Sequence, residues 1–267
     1  MHKDLVQEQF GANAAKYATS KVHAKGASLQ RLVELVKPQP DWQVLDVATA
    51  AGHTAFAFAP HVAHVIASDI TPEMLPVAAQ QAAERGIENI SFETADAESL
   101  PFPDNNFDLV TCRIAAHHFP DAAQFMAEAA RVLRPAGIAA VVDNIAPGSR
   151  LRGKKARLQN EAGDYYNAFE ALRDPSHNIC LSLDAWTAVF QNAGFSIQAQ
   201  ETMYKWLDFD DWASRMQVSP KNTIRLRAML LQAPEKAAEF LTPQVTGARI
   251  SFRLTEAILI GKVSATD

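Results

Sequence analysis

Gln43-Val44-Leu45-Asp46-Val47-Ala48-Thr49-Ala50-Ala51-Gly52-His53 is the stretch on which the fold turns. Val44, Leu45 and Val47 make a short apolar run, the small residues 48–52 interrupt it, and 53–59, with Phe56 and Phe58, leads to Pro60. A short β-branched run, a turn of small side chains and a segment closed by proline predict strand, loop and helix in immediate succession. Such a loop lets a ligand come close to the backbone, because little side chain stands in the way.

The same unit recurs downstream. Residues 64–68 predict a second strand ending at Asp69, after which Thr71-Pro72 reads as a helix N-cap with proline at the first helical position. That helix is expected to reach Arg85 and stop at Gly86. Residues 90–95 predict a third strand ending at Asp96, and 107–112 a fourth after the turn at 101–104. A helix over 121–133, broken by Pro135 and Gly137, precedes a fifth strand at 138–145; a helix at 182–193 and strands at 195–202 and 255–263 follow. This alternation predicts an α/β fold with one sheet of about seven strands. A single domain over 1–267 is expected, with its core at 41–146. An N-terminal helical lid at 1–38 and helical excursions at 147–181 and 206–247 are expected to wall a substrate pocket, since ligands of open α/β sheets sit beyond the carboxyl ends of the strands.

Composition narrows the function classes. The chain has 267 residues, 48% of them hydrophobic, and 25 Lys and Arg against 30 Asp and Glu, so its net charge is -5. No global positive field exists to hold a nucleic-acid backbone, and nucleic acid is not an expected partner. Cys112 and Cys180 are the only cysteines and form no CxxC pair, which excludes a disulfide scaffold and suits a reducing compartment. Charges at Lys3, Asp4 and Glu8 stand where a signal peptide needs an apolar stretch, and no run approaches the roughly 18 residues of a spanning helix. A cytoplasmic location is expected. His61 and His64 adjoin no other evident ligand, so no metal site is expected.

Asp46, Asp69 and Asp96 fall at or near the ends of consecutive predicted strands, one βα unit apart, and should point into one crevice. An acid after the second strand is placed to accept hydrogen bonds from a ribose diol, which gives Asp69 its expected role. Asp96 is expected to accept from an adenine amino group, and Asp46 to orient an amino-acid-like head. The loop has one glycine and three alanines and lacks G-x-G-x-x-G, so it fits pyrophosphate poorly and disfavours a nicotinamide cofactor.

Taken in order, VLDVATAAGH, ASDITPEML, ADAESLPFPDNNFDLVTCRIAAHHF and AARVLRPAG resemble the class I S-adenosylmethionine-dependent methyltransferases, most of all the small-molecule group that includes the ubiquinone and menaquinone C-methyltransferases. The resemblance implies a Rossmann-like three-layer sandwich whose seven-stranded, mostly parallel sheet has its last strand antiparallel and binds S-adenosylmethionine across its carboxyl edge. It also implies a small-molecule methyl acceptor, with the acceptor atom unspecified. Residue by residue, it places Asp46, Ala48 and Gly52 at the cofactor's methionine, Asp69 on the ribose, Ile70 and Met74 against the adenine, and Asp96 and Ala97 at the adenine edge. Arg113 corresponds to a position on the methionine side, and Tyr17 with His23 to an N-terminal lid motif.

Two positions depart from the family pattern, because Ala48 and Ala50 stand where glycines are usual. If position 50 requires φ > 0, Ala costs on the order of 1 kcal/mol there or pushes the cofactor away. A crevice blocked in this way would leave a non-catalytic binder or a relic of the fold. For an enzyme, His117 and His118 after the fourth strand are the candidate proton acceptors, since histidine titrates near neutrality. Residues 148–155 fit G-x-x-x-x-G-K but carry Lys155 where a phosphate loop has a hydroxyl, so Arg150, Arg152, Lys154, Lys155 and Arg157 read as a solvated helix face, with contact to an anionic acceptor as the alternative. Tyr165, Tyr166, Phe169, Trp206, Phe209 and Trp212 read as the core of the excursions, with an aromatic roof over an acceptor as the alternative.

Overall fold

The structure, a computed structural model, describes residues 2–11 and 26–264. It divides into two compact units: the first takes in the residues up to Asp143, Val189–Glu201 and the stretch from Ile258, and the second Asn144–Ala188 and Thr202–Ala257.

In the first unit β1 (Gln43–Val47) pairs in parallel with β2 (His64–Asp69) on one side and β4 (Phe107–Arg113) on the other. Beyond them β3 (Ile90–Thr94) pairs with β2, and β5 (Leu133–Asn144) with β4, again in parallel. With β6 (Phe195–Asp208) and β8 (Arg249–Val263) the order is β3-β2-β1-β4-β5-β8-β6, and the three-residue β7 (Gln244–Thr246) lies off this path, antiparallel to β8. The expected mostly parallel sheet of seven strands, antiparallel pairing at its last one, is therefore present. The chain winds outward from β1 to β3 and returns to β4 on the other side, so the order reverses at β1, and ligands of such sheets bind at this switch point. β1 lies between two neighbours, and Val44, Leu45 and Val47 are all buried, which is why it reads as a continuous apolar run.

Helices pack around the sheet. Phe56 of α3 (His53–Phe58) joins Ala78 and Ala82 of α4 (Met74–Glu84) and Phe92 of β3 in one cluster. The carboxylate of Asp121 accepts the N–H groups of Ala123 and Gln124 and so caps α5 (Ala122–Val132), which buries Phe125, Met126, Ala129 and Val132. α1 (His2–Gly11) and α2 (Ala27–Val36) are the described parts of the N-terminal segment; Tyr17 and His23 lie outside the described residues.

Several boundaries differ from expectation. Thr71 does not cap α4: its N–H is held by Asp69 Oδ1 at 2.8 Å and its carbonyl accepts the N–H of Met74, so 71–73 form a turn and Glu73 stands at the cap without a side-chain bond. β5 begins at Leu133 rather than 138, because Leu133 pairs with Phe107 and a register shift takes up Pro135 and Gly137. β6 and β8 are longer than 195–202 and 255–263, and β7 was not anticipated.

The second unit holds α6 (Lys154–Arg173), α8 (Phe209–Arg215), α9 (Pro220–Leu231) and α10 (Glu235–Leu241); α7 (Leu183–Asn192) begins in it. Tyr166, Phe169, Phe209, Trp212 and Phe252 form its core, with Phe169 stacked on Trp212 at 4.8 Å between centroids. Tyr166, Phe169, Phe209 and Trp212 are core, as read from the sequence, whereas Tyr165 is only partly buried and Trp206 is half exposed. No described helix is long and apolar enough to cross a membrane.

Candidate active site

The loop after β1 is held open by an acid on the neighbouring strand. Asp69 Oδ2 accepts the N–H of Ala50 at 2.9 Å and its Oδ1 that of Thr71, while Thr49 N–H donates to the carbonyl of Ser68 at 2.8 Å. The turn requires left-handed backbone at three positions: Ala48 has φ 54°, Ala50 φ 47° and Gly52 φ 84°. Position 50 does require φ > 0, and the alanines take the strain without closing the crevice, because Ala48 and Ala50 both line an open cavity. Gly52 does not line it. A Cβ there would stand 2.3 Å from Cζ of Phe56, so this glycine serves the packing of α3.

Asp46 also lies off the cavity wall. It is 1% exposed beneath the loop, where Thr49 Oγ1 donates to its Oδ2 and Thr111 Oγ1 to its Oδ1, both at 2.6 Å. The expected role of holding a ligand head does not match this placement, since both oxygens already accept hydroxyls that tie β1 to its loop and to β4. Burial pushes its pKa up to about 6, outweighing the lowering by Thr111, Thr49 and the Arg113 charge. Asp69, which does line the cavity, is raised for the same reason, with the N–H groups of Thr71 and Ala50 opposing.

The cavity encloses roughly 1020 Å³, its open mouth included. Its walls bring together Ala48, Asp69, Ile70, Met74, Asp96, Ala97 and Arg113 from the ends of four strands. Arg113 Nε donates to Thr54 Oγ1 at 3.1 Å. α1 supplies a wall that the sequence reading did not resolve: Lys3, Val6 and Phe10 face the cavity, and Gln7 Nε2 donates to the carbonyl of Ile70 at 2.7 Å. Lys3 Nζ donates to Asp96 Oδ2 at 2.5 Å and lies 2.7 Å from Glu98 Oε2, so part of the carboxylate expected at an adenine edge is engaged by the lid helix.

Of the two histidines, His118 lines the cavity, with the Phe10 ring edge-on at 5.1 Å. His117 is buried beside it, ring centroids 4.2 Å apart, and its Nδ1 donates to Asp143 Oδ1 at 2.6 Å. Facing a carboxylate, Nδ1 carries the ring proton, which fixes the tautomer. Asp143, 26 residues further on at the end of β5, was not singled out in the sequence. Among the described residues no group of three or more His, Cys, Asp and Glu is placed to hold a metal ion.

A parallel sheet with a switch point at β1, an acid ending β2 and a small-residue loop facing one large cavity defines an α/β protein that takes a nucleoside-bearing cofactor at its carboxyl edge. Residues 45–141 match the family described as Methyltransferase domain. The chain is 37% identical to "Uncharacterized methyltransferase YcgJ" of Bacillus subtilis over 94% of its own length and 96% of that protein's. The crystal structure of B. subtilis YcgJ superposes with a TM-score of 0.83 at 33% identity, covering 91% of this chain and all of that one. A ubiquinone/menaquinone biosynthesis C-methyltransferase UbiE from Ectopseudomonas mendocina is 35% identical over 57% of this chain and 62% of its own. The chain belongs to this methyltransferase family, and its activity is S-adenosylmethionine-dependent methyl transfer.

Proposed function

We propose that the methyl acceptor is a small, partly apolar molecule that meets the cofactor beside His118, and that the whole chain, 1–267, serves as one methyltransferase domain. The observation that carries this reading is the cavity wall past β4, where Ile114, Ala115, Phe119 and Pro120 adjoin His118 and Arg113. One basic group and one titratable ring in an otherwise apolar wall suit a neutral acceptor with a single ionisable position.

The residues present fit the cofactor. Asp69 would accept the ribose hydroxyls, Ile70 and Met74 would flank the adenine, and Asp96 with Ala97 would meet its edge. Ala48 and Arg113 would lie on the methionine side, with Asp46 and Gly52 supporting the loop from behind. When bound, S-adenosylmethionine supplies a methyl group on a sulfonium sulfur. The chain's own work is alignment and exclusion of water, to which α1 contributes through Val6 and Phe10. Where the acceptor must lose a proton, His118 takes it. His117, fixed by Asp143, acts as a positioning residue whose ring packs behind His118.

The test is a screen of phenols, enols and amines with the purified chain, repeated with His118→Gln. For an acceptor that loses a proton, kcat falls about 100-fold, while cofactor affinity stays within about twofold. An unchanged kcat removes His118 from the reaction.

A further inference from the structure

The first unit holds 11 Lys and Arg against 19 Asp and Glu, whereas the second holds 14 against 11. A chain of net charge -5 therefore keeps an excess of cations in the unit that does not carry the cofactor cavity. Five of them crowd into eight residues, Arg150, Arg152, Lys154, Lys155 and Arg157, and no acid occurs between Asp143 and Glu161. All five are exposed, and among the described residues only Arg157 has an ion pair, with Glu161 at 3.6 Å. Lys154, Lys155 and Arg157 open α6, where the helix macrodipole disfavours positive charge, so helix stability does not explain them.

In their midst Leu151 is 77% exposed, the most exposed of the large hydrophobic side chains among the described residues. The loop presenting it is built: Ser149 N–H donates to Asn160 Oδ1 at 2.8 Å, and Leu151 N–H to Ser149 Oγ at 3.2 Å. Among the described residues six further exposed large hydrophobics, Trp206 and Ile224 among them, belong to the same unit, and one, Leu5, to the other. Cations alone would suit any polyanion. A leucine held out among them gains free energy only where an apolar medium lies directly beneath the anions, and an anionic bilayer surface has that layering.

We propose that residues 149–157 dock the protein on an anionic lipid surface, with Leu151 entering the acyl boundary and Arg150, Arg152, Lys154 and Lys155 meeting the headgroup phosphates. The docking is peripheral and stands apart from the identity of the methyl acceptor.

Co-sedimentation of the full chain with phosphatidylcholine vesicles, with and without phosphatidylglycerol, tests it. Partition onto the anionic vesicles is expected, weakening as salt rises. Each cation removed should lower it about fivefold, so Arg150→Ala with Arg152→Ala lowers it about 25-fold. Leu151→Ser should lower it about fivefold or more. Titration with S-adenosylmethionine, unchanged in these variants, separates loss of docking from loss of the cofactor site. Equal partition onto both vesicle types overturns the proposal. So does binding that is indifferent to Leu151→Ser and displaced by inorganic phosphate or duplex DNA, which would mark a polyanion site.

Discussion

The carboxylate of Asp69, at the end of β2, holds the N–H of Ala50 at 2.9 Å and so sets the left-handed turn that opens the cavity after β1. Alanine resists that conformation and glycine does not, so the loop carries strain at 48 and 50 but requires glycine at 52. Ala48→Gly and Ala50→Gly should each stabilise the fold by roughly 0.5–1 kcal/mol. Gly52→Ala should cost more than about 2 kcal/mol, because its Cβ meets the Phe56 ring. Urea unfolding midpoints of the three variants check the opposite signs.

Asp46 makes stability depend on pH in a definite direction. Its folded pKa of about 6 lies above the value near 3.9 of an unfolded carboxyl, so the folded state holds the extra proton between these values. Stability from this group is present below about pH 4 and is lost as pH rises towards about 6. Asp46→Asn stays neutral, so relative to the parent it should gain on the order of 2–3 kcal/mol between pH 4 and 6. Denaturant melts of both proteins across that range measure the difference, and parallel profiles would contradict it.

Lys3 ties α1 to Asp96 and Glu98 at the cavity rim. The pair is one-third exposed and screened, so its worth is modest. Lys3→Ala should raise the dissociation rate of S-adenosylhomocysteine by about two- to fivefold. The effect should shrink as salt rises, because the parent loses the pair too. Stopped-flow displacement at two ionic strengths reads both.

How much of this was legible in the sequence depends on the distance over which each residue finds its partner. The β1 loop, the acids at the ends of β2 and β3 and the histidines after β4 were readable, because short apolar runs and small-residue loops mark them locally. Thr111 under Asp46 was not, because it arrives through the register of β4 against β1, in which Asp46 lies opposite Thr111. Asp143 under His117 depends in the same way on where β5 ends. An N-terminal wall was expected from 1–38, but that Lys3, Val6 and Phe10 form it was not readable, because α1 is short and far from the loop in sequence. The outer half of β6 was missed although side chains from Ser196 to Trp206 alternate in exposure, since Tyr204 and Trp206 stand on its exposed face and Met203 and Leu207 on the other, which hides the apolar-polar alternation of a strand.

On the proposed placement, the cavity at the carboxyl edge of β1, β2 and β4 is the S-adenosylmethionine site, with Asp69 at its ribose. Isothermal titration of the purified chain and of Asp69→Ala, with S-adenosylmethionine and S-adenosylhomocysteine, tests it most directly. Binding by the parent should be micromolar and weakened about 100-fold in Asp69→Ala, since a carboxylate accepting two hydroxyls contributes about 3 kcal/mol. Circular dichroism of the variant shows whether it has kept its fold. Equal affinity in a folded variant, or no binding by the parent, would contradict the claim.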